Sequence, residues 1–121
     1  MKVAISAQGK DLDALVDPRF GRARWFIIAD TETGDSRALD NGANVEASGG
    51  AGVQAGSAVA AEGVEAVITG NVGPNAHKVL ATAGITIHQV ESGVVAREAL
   101  AAFTRGELPA LAAPTVSGHW S

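Results

Sequence analysis

The sequence predicts an α/β fold of three layers, with helices on both faces of a mixed five-stranded sheet whose strands lie in the order 3-2-1-4-5. Three observations carry that expectation. The first forty residues hold strand-length apolar segments separated by turn residues; after them, Ala-rich helical stretches alternate with short apolar strands; and a glycine closes each helical stretch.

Taken in order, Lys2 to Ala7 alternates in the manner of a strand, and Trp25 to Asp30 is an apolar run suited to a central strand buried on both faces. Thr31-Glu32-Thr33-Gly34-Asp35 is a turn, so Ser36 to Asp40 returns antiparallel as a third strand. Gly52 to Glu62 is helical, ends at Gly63 and precedes the strand Val64 to Thr69. Pro74 stands where a first helical turn accepts it, Ala76 to Ala83 continues the helix, and Gly84 closes it before the strand Ile85 to His88. Val94 to Arg105 reads as a last helix stopped at Gly106. Leu108 to Ser121 carries two prolines and little periodicity. The expected organisation is therefore one domain, 1–107, followed by a flexible tail, 108–121.

A three-strand meander followed by two αβ units and a helix is a ribonuclease-H-like arrangement. In it, the loops after strands one, three, four and five share one edge. Clefts of open α/β sheets form at the carboxyl ends of strands, so that edge is the expected ligand site.

Composition narrows the possibilities. With 121 residues and 46% hydrophobic content, the chain suffices for one core. No apolar run approaches the ~18 residues of a membrane span, and the amino-terminal segment reaches Gln8 too early for a signal peptide, so a cytoplasmic protein with no membrane partner is expected. Cysteine is absent, which excludes disulfides, thiolate catalysis and thiolate-held iron-sulfur or zinc sites. A net charge of −4 and few aromatic residues argue against nucleic acid.

Against that acidic balance, Asp17-Pro18-Arg19-Phe20-Gly21-Arg22-Ala23-Arg24 places three of the nine basic residues within six positions. Arg19, Arg22 and Arg24 offer fork-shaped donors to an anion, with Phe20 expected to plug the loop into the core. A solvated turn neutralised by Asp11, Asp13 and Asp17 is the alternative. Gly49, Gly50 and Gly52 let backbone approach a bulky ligand at a helix start, although they form neither a dinucleotide fingerprint nor a P-loop. A flexible connection would have the same glycines. In Gly70-Asn71-Val72-Gly73-Pro74-Asn75-Ala76-His77, a strand end meets a helix start, and Asn71, Gly73, Asn75 and His77 become candidate contacts; plain capping is the competing account. His77 and His88 are secondary candidates for direct metal ligation, and His119 lies in the tail. Strand one has no acid to hold a divalent cation, and no Ser has a His and Asp partner in a nucleophile elbow, so no catalytic set is found.

These three segments, Val16 to Arg22, Gly49 to Ala55 and Gly70 to Ala76, resemble in order and spacing those of the dinitrogenase iron-molybdenum cofactor biosynthesis family, a likeness running from about Met1 to Leu108. The resemblance implies a non-enzymatic carrier or storage protein for an anionic metal-sulfide cluster. The Asp-Pro-Arg-Phe-Gly-Arg wording looks most like members that hold a molybdenum-copper sulfide cluster without covalent attachment; the other cargo implied is an iron-molybdenum cofactor precursor. Such a cluster brings its own sulfide ligands and charge, so a cysteine-free chain can hold it through Arg and backbone N–H groups. Ala47-Ser48 stands where some members carry a histidine, which weighs against direct ligation there. The competing reading is a regulatory or protein-interaction module of the same fold without a cluster, in which Ala-rich helices and the apolar tail meet a partner; an enzyme acting on phosphorylated small molecules lacks a base or nucleophile.

Overall fold

The computed structural model describes residues 1–45 and 50–115. Its strands are β1 (Lys2–Ala7), β2 (Trp25–Asp30), β3 (Ser36–Asp40), β4 (Ala66–Thr69) and β5 (Thr86–Gln89), and its helices α1 (Gly42–Val45), α2 (Ala51–Ala61), α3 (Pro74–Thr82) and α4 (Ala96–Thr104). The sheet order is β3-β2-β1-β4-β5, as expected. β2 runs antiparallel to both β1 and β3, while β4 runs parallel to both β1 and β5.

Alternation along each strand divides the core in two. Ala4, Phe26, Ile28, Val67 and Ile87 face α2 and α3, where they meet Ala55, Val59, Ala76 and Leu80. Val3, Ile5, Ile27 and Ile68 face the other way, onto Ala96 and Ala99 of α4 and onto Leu12 and Val16. Small residues let the helices of the first layer close up: Gly56 of α2 lies so near Val79 of α3 that a Cβ there would stand 3.0 Å from Val79 Cγ1.

Several boundaries move from those expected. Val64 and Ile85 stand in the turns before β4 and β5, yet both remain buried, which is why their apolar character read as strand. Val95 is extended and caps α4 rather than belonging to it. The short α1 was not expected; Asp40 Oδ1 accepts the Gly42 N–H at 2.8 Å and Asn41 O accepts the N–H groups of Asn44 and Val45, so it winds directly out of β3. Beyond α4 the chain returns along β5: Leu111 N–H donates to Ile87 O at 2.7 Å, and Ala110 bridges His88 in antiparallel sense.

Candidate functional site

The exits of β1 and β4 are laced together. Asn71 N–H donates to Pro18 O at 2.7 Å and Phe20 N–H donates to Asn71 O at 3.0 Å, so Arg19 and Asn71 pair as an isolated parallel bridge. Gly70 is obligatory in this seam: a Cβ there would lie 2.6 Å from Pro18 Cα and 2.8 Å from Pro18 O, neither of which can yield. Below the seam the buried Ser6 hydroxyl lies 2.9 Å from Asp17 O and 2.7 Å from the buried Thr69 hydroxyl. Phe20 is buried, its ring tilted against Phe26 at 5.0 Å, and fixes the loop from within. Asp17 Oδ1 accepts the Arg19 N–H at 2.9 Å. Burial pushes the Asp17 carboxyl above its ordinary range, against the opposing pull of the Arg19 amide and charge.

A second junction joins this loop to the exit of β3 through Asn41, a residue the sequence analysis passed over. Buried Asn41 donates from Nδ2 to Ala23 O at 2.7 Å and from its N–H to Arg24 O at 2.8 Å, and its Oδ1 accepts from Asn44 Nδ2 at 2.6 Å. Around it, Arg22 Nη1 donates to Val45 O at 3.0 Å. Arg24 Nε donates to Asp40 Oδ1 at 3.3 Å while its guanidinium lies 5.3 Å from the centre of the Trp25 ring, and Lys10 Nζ lies 4.9 Å from the centre of that ring. The Gly42 N–H, and then Arg24, hold the Asp40 carboxyl below the usual carboxylate range. Arg24, Asp40, Gly42 and Ala43 line an open depression of about 510 Å³.

Two of the acids named as possible neutralisers of the arginine loop go elsewhere, and the third stays beside Arg19. Asp13 pairs with Arg97 of α4 at 3.1 Å, Asp11 caps its own turn through the Asp13 N–H, and Asp17 serves the Arg19 backbone. Among the described residues, the acid in an ion pair with one of the three arginines is Asp40.

Two helix starts face the same edge. Gly50 adopts φ 71°, a left-handed conformation natural to glycine, and caps α2; Gly52 is buried in the first turn, and Gly49 lies outside the described residues. Gly73 caps α3 in an extended conformation with Pro74 next, and the first amides of each helix have no acceptor within their own helix. Asn75 is exposed and His77 half-buried in that first turn.

Val72 N–H, in the same corner, donates to Thr115 Oγ1 at 2.9 Å, and Thr115 N–H donates to Val72 O at 2.9 Å. Asn71 Oδ1 lies 3.3 Å from Thr115 Oγ1 and 3.4 Å from Gln89 Nε2. His88 is buried under the returning chain, with Nδ1 2.7 Å from Leu108 O, Nε2 2.9 Å from Thr86 Oγ1 and its ring edge-on to Phe103 at 4.8 Å. His119 lies outside the described residues. Arg19 and Asn71 are thus brought together directly, while Arg22 and Arg24 are tied to the α1 corner. Lys10, Asn41, Gln89 and Thr115 were missed, because none stands within a recognisable motif.

Among the described residues, no group of three or more His, Asp or Glu side chains converges in a way that could hold a metal ion, and no helix is long and apolar enough to cross a membrane. The edge gathers the arginines of the 19–24 loop and the amino-terminal amides of α2 and α3.

Residues 1–106 match the family model described as dinitrogenase iron-molybdenum cofactor. The chain is 41% identical to the orange protein (ORP) from Desulfovibrio gigas, whose apo-form structure superposes with a TM-score of 0.93 over 95% of this chain and 96% of that one. The solution structure of a Thermotoga protein provisionally described as NifB, of the DUF35 family, is 38% identical with a TM-score of 0.82, covering 95% and 97% of the two chains. The uncharacterised protein MJ0580 of Methanocaldococcus jannaschii is 30% identical over 110 residues, 89% of each chain.

Proposed function

We propose that this chain, which belongs to the dinitrogenase iron-molybdenum cofactor family, is a non-enzymatic cytoplasmic carrier that holds an anionic metal-sulfide cluster without covalent attachment. The cargo is of the molybdenum-copper sulfide or iron-molybdenum cofactor type. The observation that carries this reading is the Pro18–Asn71 seam, which ties the arginine loop to the glycine corner at the start of α3.

The chemistry of the donors fits such a guest. Guanidinium groups are weakly hydrated and planar, so they suit large, soft, polarisable anions better than ammonium groups do. Backbone N–H groups at a helix start add fixed donors and a favourable dipole. In this reading Arg19, Arg22 and Arg24 balance charge, Gly50, Gly52 and Gly73 let backbone approach, and Asn71, Asn75 and His77 hydrogen-bond to the sulfide surface. Gly49, which lies outside the described residues, is a further candidate contact. Each charge-assisted contact of this kind is worth about 1.5–3 kcal/mol, so a few account for retention without a covalent bond.

Apo protein mixed with tetrathiomolybdate and copper should develop visible charge-transfer absorption that survives desalting, and an Arg19, Arg22, Arg24 triple alanine variant should lose it. Equal retention by the triple variant would remove the arginines from the site. Recovery of the native protein with a protein partner and no molybdenum would replace the carrier reading with that of an interaction module.

A further inference from the structure

We infer that Gln89 and Thr115 are positioning residues that set the orientation of the Asn71 amide, so that its NH2 end is the one offered to the anion. This rests on the carrier reading above and concerns residues outside all three motifs.

Asn71 can face a ligand with either end of its side chain. Its oxygen would repel an anionic sulfide guest and its NH2 group would donate to it, so the rotation of one planar group decides whether the corner attracts or rejects the cargo. Two donors hold the oxygen. Gln89 Nε2, at the end of β5, lies 3.4 Å from Asn71 Oδ1, and Thr115 Oγ1 lies 3.3 Å from it. The Thr115 hydroxyl has one proton. It accepts the Val72 N–H at 2.9 Å and has two oxygens within donating reach, Asn71 Oδ1 at 3.3 Å and Val72 O at 3.4 Å; because Val72 O already accepts the Thr115 N–H at 2.9 Å, we assign the proton to Asn71 Oδ1. With the oxygen turned toward β5 and the returning chain, the NH2 on the other branch of the amide turns away from both.

The backbone of Asn71 leaves no slack in this. Its N–H and C=O are both committed to the 18–20 loop, so only the side-chain torsions are free, and two donors lie within reach of its oxygen. Three segments distant in sequence therefore meet on one residue. The arginine loop holds its backbone, β5 and the 108–115 return hold its oxygen, and its donor remains for the guest.

The test uses the full chain and tetrathiomolybdate with copper. Gln89→Ala is the clean variant, because Gln89 is exposed and its side chain contacts Asn71 at the surface. Thr115→Val, which keeps shape and removes the hydroxyl, is the second. Each should weaken retention of the coloured species by about 3–10-fold, as expected for one misdirected hydrogen bond, and Thr115→Ser should restore it. In an Asn71→Ala background, Gln89→Ala and Thr115→Val should have no further effect, whereas loosening of the fold would still add. In wild type, the Asn71 side-chain NH2 resonances should shift when the cargo binds.

Full retention by both Gln89→Ala and Thr115→Val, or losses that simply add to that of Asn71→Ala, would overturn the positioning role while leaving the carrier intact. Failure of wild type to bind the coloured species would instead bring down the carrier reading, and this inference with it.

Discussion

The two ends of the sheet differ in how many arginines they gather outside ion pairs. At the amino ends of β1 and β4, Lys2 Nζ donates to Glu62 O at 2.6 Å, Arg37 forms an ion pair with Glu62, and the Asp30 carboxylate accepts the Glu32 and Thr33 amides of its own turn. The Glu32 amide is the chief reason the Asp30 carboxyl sits below its usual range. At the carboxyl ends, Arg24 is the one arginine of the 19–24 loop in an ion pair among the described residues, and Arg22 reaches a carbonyl rather than an acid. Both ends have tight turns and open depressions, of about 260 Å³ at the amino end and 510 Å³ at the carboxyl end. What separates them is how many cations gather there: the amino end pairs Arg37 with Glu62 and the terminal amine with Asp30, while the 19–24 loop brings three arginines together of which, among the described residues, Arg24 alone is in an ion pair.

The largest test of that contrast is steric. Gly70→Ala drives a Cβ into the Pro18 backbone and should cost about 3 kcal/mol in urea denaturation, with loss of the coloured cargo. At the other end Gly34, at φ 79° with open space around it, should cost only about 1 kcal/mol when changed to Ala and leave retention untouched. Next in size comes charge. Arg19→Ala should lower cargo retention about 10-fold on desalting, whereas Arg37→Ala should leave retention unchanged and cost no more than about 1 kcal/mol of stability. Equal effects of the two would erase the distinction between the ends.

A smaller effect sharpens it. Asp40→Asn releases Arg24 from its acid, and titration with tetrathiomolybdate and copper should show about 2–5-fold tighter binding. The smallest effect is pH-dependent and reads the seam itself. Because burial raises the Asp17 carboxyl in the folded state, its contribution to stability is complete below the ordinary value of 3.8 and lost as pH rises through the raised value. Asp17→Asn should therefore melt slightly higher than wild type at pH 7 and match it near pH 3. Asp30 and Asp40 act in the opposite sense, their contributions being lost as pH falls below 3.8.

Much of the fold was legible because it is written in local signals. Pro74 at a helix start, Gly63, Gly84 and Gly106 as left-handed helix stops, and the strand-length apolar runs of Lys2–Ala7 and Trp25–Asp30 each depend on a few consecutive residues. The arginine loop and the two glycine corners were legible for the same reason, and the carboxyl-edge topology then placed them on one side of the sheet. The links between them were not. Asn41 meets Ala23 across eighteen residues and Thr115 meets Asn71 across forty-four, and a hydrogen bond at such separation leaves no period or composition to read. Thr115 sits in a stretch whose prolines suggested only irregular chain, and Asp40 looked like the last residue of a strand rather than the counter-charge of Arg24.

The indole of Trp25, flanked by Lys10 and Arg24 beside the exit of β3, gives this protein a native optical gauge. A molybdenum-sulfur chromophore arriving at that rim would drain its excited state by energy transfer, so emission from Trp25 should dim in proportion to loading. In a Trp120→Phe background, which leaves that indole as the sole emitter of its kind, occupancy could be followed in real time without any attached dye.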